Sequence, residues 1–156
     1  MKIMNKTNKK KAPNFKLKST SNEIVELKKI KSKFVVLYFY PKDNTSGCTI
    51  ETNDFNKLLK SFKKLDCSIF GISKDSIESH QKWSKQLKLK FELLSDEKKI
   101  ALKSYKVWLK KKFMGREFMG TVRSTFLIEK HKIIKEWRNI KAIGHAKEVL
   151  DFIENY

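Results

Sequence analysis

Cys48 is the residue of this chain best placed to act as a nucleophile. It closes the stretch "PKDNTSGC" (41–48), between the apolar run 34–40 and a helical pattern starting near Thr49. Thiol chemistry is carried by the thiolate, and a helix N-terminus favours that ion through its free N–H groups and positive dipole end. The neighbouring residue types suit such a site. Gly47 lets backbone approach closely and leaves its amide free to donate. Thr45 brings a hydroxyl that both donates and accepts hydrogen bonds. Pro41 fixes the backbone at the strand exit and shields one side of the thiol. Glu51, one helical turn after Cys48, is a supporting carboxylate for the site or a simple complement to the helix dipole. A buried, inert cysteine at a helix start is the competing reading, since free Cys is among the most buried residue types. Pro, Thr and Cys at intervals of four and three argue for a built site.

Other reactive residues offer less. Cys67 opens "CSIFGIS", where a small apolar residue suits a core strand, and two cysteines without a CxxC pair form no disulfide framework. His80, His131 and His145 are scattered, as surface or helix residues. No His, Cys or carboxylate cluster has metal-ligand spacing along the chain, so neither metal nor cofactor is expected.

The elements that must position Cys48 follow from periodicity. "NFKLKSTSNEIVELKKI" holds two short alternating segments around a Ser/Thr/Asn turn, an N-terminal β-hairpin. The continuous apolar run 34–40 fits a central strand covered on both faces. Phe55, Leu58, Leu59 and Phe62 put one apolar face on a helix from about Thr49 to Leu65. A second buried strand is expected at 67–73. A helix follows Asp75 and Ser76, which are good N-cap types. "FELLSD" is a short strand or extended link, and "EKKIALKSYKV" a short helix. Strands at 123–129 and 132–139 turn at Lys130-His131, and "GHAKEVLDFIENY" closes the chain as a helix. Buried strands alternating with helices predict an α/β three-layer domain, and the β-β-α ending predicts a mixed central sheet flanked by helices. Open α/β sheets place ligands beyond the carboxyl ends of their strands, where Cys48 lies.

Composition narrows the class. A chain of 156 residues with 40% apolar residues suits one domain, expected over 12–156 behind a basic tail at 1–11. No run is long enough for a membrane span, and no secretory or transit signal precedes the domain; a cytoplasmic protein is expected. The net charge of +19 raises nucleic acid as a partner. Yet only Arg116, Arg123 and Arg138 are arginines, the lysines are spread along the chain, and no recognition helix, zinc spacing or aromatic-basic motif appears. A bias toward Lys, Asn and Ile accounts for the charge, with neither specific nucleic acid nor membrane as partner.

The segment "FYPKDNTSGCTIETNDF" resembles the active-site segment of the peroxiredoxins, in particular the bacterioferritin-comigratory or peroxiredoxin Q family. The family's Pro-x-x-x-Thr/Ser-x-x-Cys loop is matched by Pro41, Thr45 and Cys48. "GISKDS" (71–76), "FELLSDE" (91–97), "Y-KVW" (105–108) and "GTVRSTFLIE" (120–129) resemble its later segments in order, so the likeness covers roughly 12–156. The resemblance implies a thioredoxin-like fold of peroxiredoxin type and a thiol-dependent peroxidase acting on hydrogen peroxide and organic hydroperoxides. It implies a peroxidatic Cys48 that cycles through sulfenic acid, Thr45 orienting the peroxide, Pro41 shielding it, and Arg123 stabilising the thiolate and the peroxide oxygens. Glu51 matches a family position.

The chain departs from the family at three points. The resolving cysteine that many members carry five residues on is Asn53 here, "HQKWSKQL" has none in the following helix, and Ser46 replaces the usual proline. Cys67 alone remains, either an inert thiol in a core strand or the resolving cysteine. A one-cysteine enzyme is expected, a monomer or weak homodimer. Its sulfenic acid would be resolved by an external thiol: thioredoxin, glutaredoxin or glutathione, or a small thiol. A peroxide sensor or thiol switch on the same scaffold, and a basic nucleic-acid-binding module, are the alternatives.

Overall fold

The computed structural model describes residues 9–156. Its centre is the run Phe34–Phe39 (β4), buried at all six positions. Side chains of a strand alternate between faces. Phe34, Val36 and Tyr38 therefore join one apolar cluster and Val35, Leu37 and Phe39 another. A strand apolar on both faces must be covered on both, which is the reason for three layers.

Among the described residues eight strands form the sheet, in the order β1-β10-β9-β4-β5-β6-β2-β3. Cys67–Ser73 (β5) runs parallel to β4, and Glu92–Ser95 (β6) parallel to β5. Ser124–Glu129 (β9) lies antiparallel on the other side of β4. Lys132–Arg138 (β10) returns along β9 with a register shift between Ile133 and Lys135. The N-terminal hairpin, Lys16–Ser19 (β2) with Ile24–Glu26 (β3), adds to β6. Lys10–Lys11 (β1) pairs with the start of β10. The sheet is thus mixed, as the β-β-α ending implied.

On one face lie Ser46–Lys57 (α1), Leu59–Lys64 (α2), Ile77–Leu87 (α3) and His145–Glu154 (α5), packing Phe55, Leu59, Phe62, Trp83, Val149 and Leu150 onto the sheet. The other face is covered by Ile100–Ser104 (α4) and the segment holding Ala12 and Phe15. Among the described residues no helix is long and apolar enough to cross a membrane.

Two expectations need correction, one gains a detail, and one element went unread. The basic tail ends sooner than residue 11, because Lys10 and Lys11 are a strand; residues 1–8 lie outside the described ones. The helix expected over 49–65 begins earlier, at Ser46, and divides at Leu58, where the backbone (φ −94°, ψ 4°) leaves helical geometry. His80 and His145 are helix residues but buried, and only His131 is on the surface. Finally, Trp108–Phe113 (β7) and Arg116–Thr121 (β8) form a separate hairpin that the pattern did not reveal. Its turn, Met114-Gly115, has φ values of 52° and 76°, the geometry of a tight primed turn, but Met is an unusual residue there. The run Lys110-Lys111-Lys112 also removes the alternation that marks a strand.

Candidate active site

The last rung of β4 is followed by a hydrogen bond from the Tyr40 amide to Ile72 O (3.1 Å), which anchors the strand exit. Seven residues later the chain is already helical. Thr49 N–H donates to Thr45 O (2.9 Å), and the Thr49 hydroxyl donates to the same carbonyl (2.6 Å). That bond is the first of α1, so the amides of Ser46, Gly47 and Cys48 precede the intrahelical ladder and remain donors for an anion. Cys48 sits among them with no exposed surface. Its sulfur belongs to the cluster of Phe55, Tyr40 and Leu127.

Arg123 arrives from the neighbouring strand. It immediately precedes β9, whose first residue, Ser124, is paired with Phe39 at the carboxyl end of β4. Its Nη2 donates to Cys48 Sγ at 3.4 Å, and its Nη1 to Glu51 Oε1 at 2.7 Å. Burial works against the charge on Arg123, but the Glu51 carboxylate and the Cys48 sulfur outweigh it and hold the guanidinium more firmly protonated than usual. Burial pushes Glu51 up to about 7, with Arg123 pulling the other way. Its Oε2 is buried without a hydrogen-bond partner among the described residues. Gly47 leaves room for this arrangement: a Cβ there would lie 3.1 Å from Arg123 Nη2, so the guanidinium would have to shift slightly.

Thr45 is exposed at the N-cap position of α1, and its hydroxyl donates to Lys42 O (2.9 Å), leaving its lone pairs to accept. Pro41 is half-buried, and its carbonyl accepts from Lys74 Nζ (3.2 Å). Ser46 is exposed. Cys67 lies far from this group. It is paired with Phe34, at the start of β4, whereas Cys48 follows the end of that strand. Five steps of about 3.3 Å put roughly 17 Å between those ends. Burial pushes the Cys67 thiol up to about 12.

One group escaped the sequence. Asp43, Asp75 and His80, without metal-ligand spacing in the chain, bring their side-chain donor atoms within 4.8 Å of one another. Tertiary folding joins α3 to the loop, which linear spacing cannot show. Those atoms are engaged by one another and by Tyr40, Ser73 and Ser79.

This geometry matches known proteins. The model of the AhpC/TSA family fits residues 9–137. The chain belongs to the AhpC/TSA family of peroxiredoxins. Peroxiredoxin Bcp of Bacillus subtilis is 45% identical over 146 residues, covering 93% of each chain. A putative peroxiredoxin bcp of Helicobacter pylori is 45% identical over 141 residues, covering 90% of this chain and 93% of its own. Among solved structures, the bacterioferritin comigratory protein of Xanthomonas campestris, studied for alkyl peroxide reduction, superposes with a TM-score of 0.86 at 34% identity and 90% coverage of each chain. This peroxiredoxin has the thioredoxin-type fold of those relatives and is a thiol peroxidase, as its resemblance implied.

Proposed function

We propose that Cys48 is the peroxidatic residue, with Arg123, Thr45 and Pro41 forming its pocket and Gly47 and Glu51 supporting it. The observation that carries this reading is the Arg123 fork, one nitrogen 3.4 Å from Sγ and the other fixed by a buried carboxylate. The Cys48 thiolate attacks the terminal oxygen of a hydroperoxide. An S–O bond forms, the O–O bond breaks, and the leaving oxygen takes a proton as water or an alcohol. Arg123 and the free first-turn amides face the charge that develops on sulfur and oxygen. The Thr45 hydroxyl accepts from and orients the peroxide, while Pro41 covers one side. Hydrogen peroxide and organic hydroperoxides are the substrates; the alkyl peroxide activity studied in the Xanthomonas relative supports the latter.

The enzyme works with one cysteine. A disulfide needs Cα atoms within about 7 Å, well short of the strand's length that separates Cys48 from Cys67. An outside thiolate, from a thioredoxin, a glutaredoxin or glutathione, or a small thiol, attacks Sγ, and the S–O bond breaks with loss of hydroxide. A second thiol then frees Cys48. Two unpaired cysteines suit a reducing compartment such as the cytoplasm.

The test is mass spectrometry after one equivalent of peroxide, with and without added thiol. Cys48 sulfenic acid, or an adduct of the added thiol on Cys48, is expected, and Cys67→Ala should retain most turnover. Cys48→Ser should abolish peroxide reduction. A Cys48–Cys67 disulfide with collapse of turnover in Cys67→Ala would overturn the one-cysteine reading.

A further inference from the structure

The loop that carries Cys48 is held at one inward-facing point. Of residues 41–47 only Asp43 is buried. Its Oδ1 accepts from the Tyr40 hydroxyl at 2.7 Å, its Oδ2 from the Ser79 hydroxyl at 2.8 Å, and His80 Nδ1 meets Oδ2 at 2.7 Å. His80 Nε2 in turn lies 2.9 Å from Leu94 O, so the imidazole bridges the loop to β6. The Asp43 amide donates to Asp75 Oδ2 (2.9 Å), which also accepts from the Ser73 hydroxyl. Tyr40, Asp43 and His80 are all buried, where charge-assisted hydrogen bonds are strong and their loss is costly. The hydrogen bonds of Asp43 and His80 do not include the sulfur, whose side-chain donor is Arg123.

The two half-reactions ask different things of this loop. Oxidation needs it closed, since only then does Cys48 meet Arg123. The thiol step needs access to a sulfur that has no exposed surface. An attacking thiolate must approach opposite the S–O bond. With Arg123 on a sulfur that is buried in the apolar cluster holding Phe55 and Tyr40, no approach from behind that bond is open. The first turn of α1 must therefore leave its seat before an external thiol can react.

We propose that Asp43 and His80 are positioning residues that latch the loop onto α3, favouring oxidation of Cys48 and restraining its reduction. This rests on the reading of Cys48 as peroxidatic. Breaking the latch moves the two rates in opposite directions: peroxide attack slows because the thiolate and Arg123 lose register, and thiol attack speeds because the open loop is more populated. A role in stability alone would lower both rates together.

The experiment measures the two steps separately in single turnover, as oxidation of Cys48 by hydrogen peroxide and as adduct formation between Cys48 sulfenic acid and 2-mercaptoethanol. For His80→Asn and Asp43→Asn, oxidation is expected to slow about tenfold and adduct formation to speed by a similar factor, given how steeply rate depends on placement. Tyr40→Phe, which removes one hydrogen bond to Asp43 and keeps the ring packed on Trp83, should show smaller shifts with the same signs. It decides the matter if the other variants fold poorly. Any pattern other than opposite movement of the two rates overturns the latch. Peroxide reduction that persists in Cys48→Ser would instead overturn the underlying assignment of Cys48, so the two failures are told apart.

Discussion

Arg123 and Glu51 form a buried ion pair whose free ends both matter. The guanidinium reaches sulfur with one nitrogen because the other is held in place, a geometry that an ammonium cannot copy. Arg123→Lys keeps the charge and loses the fork, so the second-order rate of Cys48 oxidation should fall by about 10²-fold, as for loss of one oxyanion donor. Stopped-flow measurement with hydrogen peroxide checks this; an unchanged rate would remove Arg123 from the transition state. Glu51 makes a prediction about pH. Its folded value of about 7 lies above its ordinary 4.5, so the native state holds more protons than the unfolded chain between those limits. Stability should consequently fall as pH rises from 4.5 to 7 and level off above. Glu51→Gln keeps an acceptor for Arg123 and cannot ionise. Its urea midpoint should be flatter than that of the wild type across that window, and equal slopes would count against the titration.

At the scale of elements, the turn from β4 into α1 sets the site. Gly47 lies in the first turn, where an added Cβ would come within 3.1 Å of Arg123 Nη2. An Ala there must push away a guanidinium that Glu51 and Cys48 hold from the other side. Gly47→Ala should keep the fold, by circular dichroism, yet slow oxidation about tenfold through the displaced fork; wild-type kinetics would show that the fork yields freely. This turn was legible in sequence because its signals are local: an apolar run, a proline, an N-cap threonine and a helical pattern. The strand Cys67–Ser73 was read with its full bounds for the same reason, being mostly apolar between Asp66 and Lys74. The contact of Arg123 with Cys48 spans 75 residues and was foreseen only through family resemblance. Asp43 and His80 are 37 residues apart, and neither differs in type from a surface residue, so nothing local marks their meeting. The Met114-Gly115 hairpin stayed hidden because three lysines stand where alternation should have been.

For the molecule as a whole, the proposed chemistry lies beyond the carboxyl end of β4, while Cys67 opens β5 beside the amino end of that strand. The three-layer packing keeps the two thiols apart by the full length of a strand. The sheet also ends deliberately on both sides. Among the described residues, only the two-residue β1 lies beyond β10, and the other terminal strand, β3, has three residues. An open strand border with unpaired amides and carbonyls is a template on which another chain can grow, and lysines, short strands and bulges are what blunts it. Lys10 and Lys11 cap the start of β10, and the register shift at Ile134 breaks the regularity of what lies beyond. A chain that begins at Ala12 would lose the cap and leave the whole seven-residue β10 able to recruit a second molecule. Size-exclusion chromatography should find it shifting further than the full chain, as protein concentration rises, toward larger species. A truncated protein that stays the size of the full chain would mean that the bulge alone is guard enough.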